Sequence, residues 1–280
     1  MLEMKGLGKR LGRKQILHDL TLTLEPGVYG LLGANGAGKT TLLRCLTGLY
    51  RPTAGAILYQ GTPIGHNPAY WRAMGYLPQA FGMFKELTVG EMLEYFCAVK
   101  RLPREQWPAA VARCLEAVNL TDCQDTRVSA LSGGMIRRAG IAQALIGEPQ
   151  LLYFDEPTAG LDPEERARFK SVIASLPPGR IVVVSTHIVD DVATGCDRVI
   201  VIHGGRVLFL GPCETLRQRA AGRVYEREAS QPAADAFTLR TIQRKGVLLN
   251  RVLSERPLGG PPVEPTLEDG YMCVIKGLSV

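Results

Sequence analysis

Gly33-Ala34-Asn35-Gly36-Ala37-Gly38-Lys39-Thr40-Thr41 is the stretch whose reading decides the fold. Its spacing satisfies the phosphate-loop pattern G-x-x-x-x-G-K-[ST] without a gap. The flanks agree: Val28-Tyr29-Gly30-Leu31-Leu32 predicts a buried strand before the loop, and Thr40–Leu46 predicts a helix opening on it. Glycines at 33, 36 and 38 permit backbone shapes that a side chain forbids. Amide hydrogens can then turn inward around an anion at a helix N-terminus. In this pattern Lys39 reaches the β- and γ-phosphates of a nucleotide and the Thr40 hydroxyl ligates Mg²⁺. A glycine-rich turn with no ligand is the plainer reading, and it leaves the strand, the full spacing, the Lys and the Thr as coincidence.

Such a loop needs a carboxylate for the metal and a group to position water. Leu151-Leu152-Tyr153-Phe154-Asp155-Glu156 supplies both. Four successive apolar residues predict a strand buried on both faces of a parallel sheet. The two acids fall at its C-terminal end, the edge where open α/β sheets bind ligands. Asp155 is expected to hold the Mg²⁺ shell and Glu156 to orient water for in-line attack on the γ-phosphate. A further strand, Ile181–Thr186, ends at His187, which can approach the γ-phosphate from the same edge. His18, His66 and His203 have no comparable placement.

Composition narrows the setting. A chain of 280 residues fits one large domain, or one domain plus a small one. The formal charge of +6 is modest and the basic residues are scattered, so nucleic-acid binding is not expected. The seven cysteines form no C-x-x-C pair, which suits a reducing compartment better than a disulfide framework. No apolar run approaches the ~18 residues of a membrane span, and the N-terminus does not read as a signal peptide. The expectation is a cytoplasmic protein whose membrane role, if it has one, depends on another chain.

Leu131-Ser132-Gly133-Gly134-Met135 runs into Ile136–Leu145, which predicts a helix capped by Ser132 with its positive end free for an anion. With this segment the chain resembles the ATP-binding subunits of ABC transporters. Residues 33–41 match their Walker A motif, and Leu151–Glu156 match Walker B with its catalytic glutamate. Gln79 in Tyr76-Leu77-Pro78-Gln79 is similar to the Q-loop, and Leu131–Met135 to the LSGGQ signature. Ala159-Gly160-Leu161-Asp162 resembles the D-loop and His187 the switch histidine. Met135 departs from the family's Gln. Leu11 occupies the position where the family usually stacks an aromatic ring on adenine.

The resemblance covers residues 1–218 and implies an α/β fold of the P-loop NTPase type. Its parts are a mixed sheet core, a β-subdomain and a helical subdomain inserted over residues 80–147. It implies ATP and Mg²⁺ as ligands. Gly33, Asn35, Gly36, Ala37, Gly38, Lys39, Thr40 and Thr41 fall in the nucleotide site with Gln79 and Asp155, and Thr40, Gln79 and Asp155 stand around the metal. Glu156 and His187 are the implied catalytic pair. Two such subunits pair head to tail in this family, so Ser132, Gly133 and Gly134 are expected to meet a γ-phosphate held by the partner's Lys39. Phe81, Met83 and Phe84, with Leu87–Phe96, are read as either core packing or a groove for a helix of a polytopic membrane permease. The resemblance thus implies a peripheral location on the inner membrane face, reached through that permease.

Residues 222–280 read as a small α/β appendage with a strand over Gly246–Val252 and a final helix begun by the capping box Thr266-x-x-Asp269. The tail is similar to those on ATPases of the type-two ABC exporters. A cytosolic ATPase of the same family, acting on an iron–sulfur scaffold or remodelling a macromolecule, is the alternative.

Overall fold

A computed structural model of the chain describes residues 1–230, 236–244 and 246–278. The N-terminal strands β1 (Leu2–Leu11) and β2 (Lys14–Leu24) form an antiparallel hairpin. In β2 Leu20, Leu22 and Leu24 are buried while Thr21 and Thr23 face out, the alternation of a half-buried antiparallel strand. β3 (Gly27–Leu32) leads into the phosphate loop and α1 (Lys39–Leu46). β4 (Ala54–Tyr59) and β5 (Thr62–Pro63) complete a four-stranded sheet of order β2-β1-β4-β5. The short helix α2 (Pro68–Ala73), capped by the Asn67 side chain, then feeds β6 (Met74–Leu77).

Three helices follow: α3 (Val89–Val99), α4 (Trp107–Ala117) and α5 (Gly133–Leu145). Thr88 and Glu91 form a capping box that starts α3, and the Ser132 side chain caps α5 by accepting from Met135 N–H. Met92, Leu93, Val111, Leu115, Ala139 and Ala142 bury the facing sides of this layer. The Lys100 ammonium anchors the layer to the end of α2 and the start of β6 by donating to the carbonyls of Arg72 and Met74. Burial pulls its pKa down to about 8.

The chain re-enters the central sheet at β7 (Leu151–Asp155), crosses through α6 (Pro163–Ala174) to β8 (Ile181–Thr186), and passes α7 (Val189–Gly195) to the hairpin of β9 (Arg198–His203) and β10 (Arg206–Pro212). The sheet order is β10-β9-β3-β8-β7-β6. All neighbours from β9 to β6 are parallel, and β10 alone is antiparallel. Every residue of β7 and β8 is buried, as their uninterrupted apolar sequences require. Because β3, β6, β7 and β8 point the same way, the segments that follow them (the phosphate loop, Gln79, Glu156 and His187) leave from one sheet edge.

The C-terminal region forms an antiparallel sheet of order β11-β13-β12, from Val224–Glu228, Ala236–Arg244 and Val247–Ser254 in chain order as β11, β12 and β13. Two helices accompany it: α8 (Cys213–Gln218) before the sheet and α9 (Leu267–Ile275) after it. α9 carries the expected Thr266/Asp269 capping box. It packs on two sides. Cys273 joins Val224 and Leu253 of the small sheet, while Leu267, Tyr271, Val274 and Ile275 join Leu32, Val192, Val201 and Leu216 of the larger body. Gly270 permits this approach: a Cβ there would stand 2.0 Å from the Leu216 carbonyl oxygen. Burial pushes the Tyr271 hydroxyl pKa up, opposed by the Ala34 N–H of the phosphate loop, which faces it.

A buried ionic network ties α9 to β13. Arg251 donates to Asp269 at 2.6 Å, to Glu226 at 3.1 Å and to the Glu264 carbonyl at 2.7 Å. Burial alone would raise the Asp269 carboxyl, but hydrogen bonds from Arg251 and Thr266 outweigh it and hold the group below its ordinary value. Arg251→Met strands a buried carboxylate and is expected to cost about 3–5 kcal/mol in urea unfolding at neutral pH. The folded carboxyl binds its proton less tightly than the unfolded one, whose pKa is about 3.9. The network's contribution is therefore complete above that pH and is lost as pH falls through the lower folded value. The gap between wild type and variant should stay constant from about pH 6 to 8 and close in acid.

Candidate active site

The phosphate loop is shaped by what lies beneath it. A Cβ on Gly33 would stand 2.4 Å from the Ile202 carbonyl oxygen of β9. Gly38 has φ 112°, a left-handed conformation that favours glycine, immediately before α1. The turn between β9 and β10 props the loop from below, with Gly205 N–H donating to Ala37 O at 2.9 Å. Ala34, Asn35 and Gly36 form the exposed rim, Ala37 is buried, and Thr41 is half-buried in the first turn of α1. Lys39 is only 5% exposed. Its ammonium donates to the carbonyls of Gly33 at 2.7 Å and Ala34 at 3.3 Å and lies 3.4 Å from a Glu156 carboxylate oxygen.

Asp155 is wholly buried. Its Oδ1 accepts from Thr40 Oγ1 at 3.2 Å and from Ser185 Oγ at 2.6 Å. Its Oδ2 is buried with no hydrogen-bond partner among the described residues. A dry, unpaired carboxylate oxygen beside a threonine hydroxyl is a donor set suited to a hard, oxygen-seeking divalent cation. The Glu156 carboxylate is where the remaining groups meet: besides Lys39, His187 Nδ1 stands at 3.5 Å and Gln79 Nε2 donates at 3.4 Å. The Glu156 backbone is left-handed at φ 48°, and its N–H is held by Ser185 Oγ at 2.9 Å and Ser185 O at 3.2 Å. Four segments distant in sequence thus bring Lys39, Thr40, Gln79, Asp155, Glu156 and His187 to one place.

Comparison with known proteins gives this geometry its family. Residues 17–159 match the model of the ABC transporter family. The chain belongs to the ABC transporter family. The Nod factor export ATP-binding protein I of Burkholderia orbicola is 35% identical over 92% of this chain and 88% of its own length. Among solved structures, cbiO1 of Clostridium perfringens, described as part of the ABC transporter complex cbiONQ, superposes with TM-score 0.67 at 27% identity, covering 75% of this chain and 88% of that one. A bacterial Atm1-family ABC exporter with ATP bound superposes with TM-score 0.69 at 26% identity, covering 78% of this chain and 40% of that one. The chain is accordingly an ATP-binding and ATP-hydrolysing subunit of an ABC transporter of the exporter type.

In this ABC subunit the signature residues do not join the cluster around Glu156. Ser132 and Gly133 are exposed, Gly134 packs towards Glu165, and the only hydrogen bond described for the Ser132 side chain is its own helix cap. Leu11 ends β1, opposite Lys14, and is 38% exposed. No helix of the described residues is long and apolar enough to cross a membrane. Two residues were not legible from motif spacing. Ser185 bridges Asp155 and Glu156 across neighbouring strands, and only its place near the end of a buried strand hints at a polar task. Arg137 reaches from α5 to the backbones of Gln79, Glu156 and Pro157, and its one sequence signal is an arginine on a helix that packs in the core. Lys39→Ala is expected to weaken ATP affinity about ten- to a hundredfold, since hydrogen bonds to charged groups contribute roughly 1.5–3 kcal/mol. Titration of the variant with a fluorescent ATP analogue measures this, and unchanged affinity would count against the loop as the triphosphate site.

Proposed function

We propose that the subunit hydrolyses ATP in a seam between two ATP-binding subunits and thereby drives export through a separate membrane permease. The observation that carries this reading is the division of the motifs. Lys39, Thr40, Gln79, Asp155, Glu156 and His187 converge, while Ser132 and Gly133 stay at the surface with nothing of the same chain's phosphate loop bound to them. A helix N-terminus left open in this way is suited to an anion brought by another molecule. Each chain then carries half of two sites, and ATP binds the closed pair better than the open one, which is what a two-state machine needs.

The loop amides of residues 34–38 and the Lys39 ammonium bind the phosphates. Thr40 and Asp155 would hold Mg²⁺, with Gln79 at the same sheet edge. The cation, once bound, neutralises charge on the transferring phosphoryl group. Glu156 takes the proton of the attacking water. His187 lies against the same carboxylate oxygen as Lys39 and steadies the γ-phosphate side of the site. Gln79 joins Glu156 to the segment that follows it. There Phe81, Met83, Phe84, Met92 and Phe96 line a cleft of about 370 Å³, with Phe84, Tyr95 and Phe96 stacked edge to face. Phe84 and Tyr95 are nearly half exposed, and we assign this cleft to a cytoplasmic helix of the permease. Outward transport follows from the likeness to the Nod factor export subunits. Residues 222–280 act as a stabilising addition to the ATPase body, and the subunit works on the inner face of the membrane.

Glu156→Gln is expected to bind ATP normally, to lose turnover by at least about a hundredfold, in the range of a lost general base, and to accumulate as an ATP-dependent dimer in light scattering. A variant that hydrolyses ATP at the wild-type rate, or stays monomeric with ATP bound, overturns the seam.

A further inference from the structure

Arg137 joins two of the functional segments through their backbones, the one at Glu156–Pro157 and the one at Gln79. It lies in the second turn of α5, behind the signature. Its Nε donates to the Pro157 carbonyl at 2.9 Å, its Nη1 to the Gln79 carbonyl at 3.1 Å, and its Nη2 to the Glu156 carbonyl. The guanidinium also lies over the ring of Phe81, 5.7 Å from its centroid. Among the described residues no carboxylate pairs with it directly. A rigid, planar set of donors is being used to grip backbone oxygens of two different loops, a task for which an ammonium group lacks the geometry.

The grip falls where the backbone needs it. Glu156 is held at φ 48°, a conformation unfavourable for a non-glycine residue that persists only when its surroundings enforce it. Ser185 holds the N–H side of this residue and Arg137 the carbonyl side. With both peptide groups of Glu156 held, the direction in which its side chain leaves the backbone is set. The same guanidinium sets the backbone of Gln79, whose side chain donates to that carboxylate.

We propose that Arg137 is the positioning residue for Glu156, so that the aim of the catalytic carboxylate depends on the helix that carries the signature. The proposal rests on the reading of Glu156 as the base. It differs from a general role in stability because it should touch the chemical step and leave nucleotide binding alone: the contacts described for Arg137 are to Gln79, Phe81, Glu156 and Pro157, none of them in the phosphate loop.

The test is steady-state hydrolysis of Mg·ATP by the full chain, with Arg137→Ala, Arg137→Lys and Glu156→Gln compared with wild type. Misplacement of a reacting group by about 1 Å costs roughly a hundredfold in rate. Arg137→Ala should therefore lose about ten- to a hundredfold in kcat, with KM and the affinity for a fluorescent ATP analogue unchanged. Arg137→Lys keeps the charge without the fork and should recover little of that rate. Added guanidinium ion, at concentrations that leave wild type unaffected, should restore Arg137→Ala saturably. Full kcat in either Arg137 variant, or a loss expressed in KM, overturns the proposal. If the alanine variant does not fold, the lysine variant decides alone by the same criterion. Failure of the underlying reading is distinguishable: Glu156→Gln would then turn over normally, whatever the Arg137 variants do.

Discussion

A buried ammonium must be matched by negative charge or by oriented oxygens, and Lys39 sets that demand for the whole sheet edge. The site meets it in two ways. The carbonyls of Gly33 and Ala34 turn towards the ammonium because the loop doubles back over it, and the Glu156 carboxylate approaches from the other side. The first requires the glycine backbone of the loop. The second requires β7 to end level with β3, two places away in the sheet, so that its acids arrive at the height of the loop. The parallel register of β3, β8 and β7 delivers this, with Leu31 opposite Ser185 and Ser185 opposite Asp155. Ser185, at the middle of that row, is hydrogen-bonded to both acids' positions, so the polar core of the site is a continuation of strand pairing.

This arrangement is supported from beneath by elements that carry no motif. The turn between β9 and β10 holds Ala37, and Ile202 closes against Gly33. The C-terminal helix α9 then packs on Leu32 and Val201, with Tyr271 facing the Ala34 N–H. The appendage is therefore continuous with the underside of the phosphate loop through its last helix, while its sheet stands outside. The ionic network of Arg251 and Asp269 adds to the apolar contact of Cys273 with that sheet, so the two faces of the helix are held differently: apolar burial towards the ATPase body, and charge pairing beside a smaller apolar cluster towards the appendage.

How much of this is legible in sequence depends on the range of the interaction. The phosphate loop, the strand before Asp155, the Ser132 cap and the Thr266 capping box are local, and each is read from residues within one turn or one strand. β6 is not: Met74–Leu77 is four residues long, starts directly after α2, and becomes a strand because β7 offers it a parallel edge. β12 is similarly missed, since Ala236–Arg244 alternates weakly and is mostly exposed, and its partner β13 supplies the reason for its shape. The convergence of Gln79, His187 and Lys39 on one carboxylate follows from sheet order, and sheet order is a long-range property that periodicity does not contain. Arg137 is the extreme case, because its partners are backbone oxygens and carry no residue type to recognise.

The placement of α5 joins these observations into one mechanical statement. Its first turn presents Ser132 and Gly133 to the outside, and its next turn grips Gln79, Glu156 and Pro157 on the inside. α5 is buried at residues 139–142, 144 and 145, and a close-packed interior transmits strain. Whatever seats an anion on the outer end therefore acts on the same helix that sets the inner carboxylate. In the paired arrangement, the anion belongs to the opposite nucleotide and the carboxylate to this chain's own. On the proposed pairing the two sites would be coupled in series through α5, and Phe81, under the Arg137 guanidinium, would place the cleft proposed for the permease on the same linkage. Coupling of this kind needs no motion across the sheet. It needs only that a peptide held on both sides, at Glu156, shift when one of its two holders does.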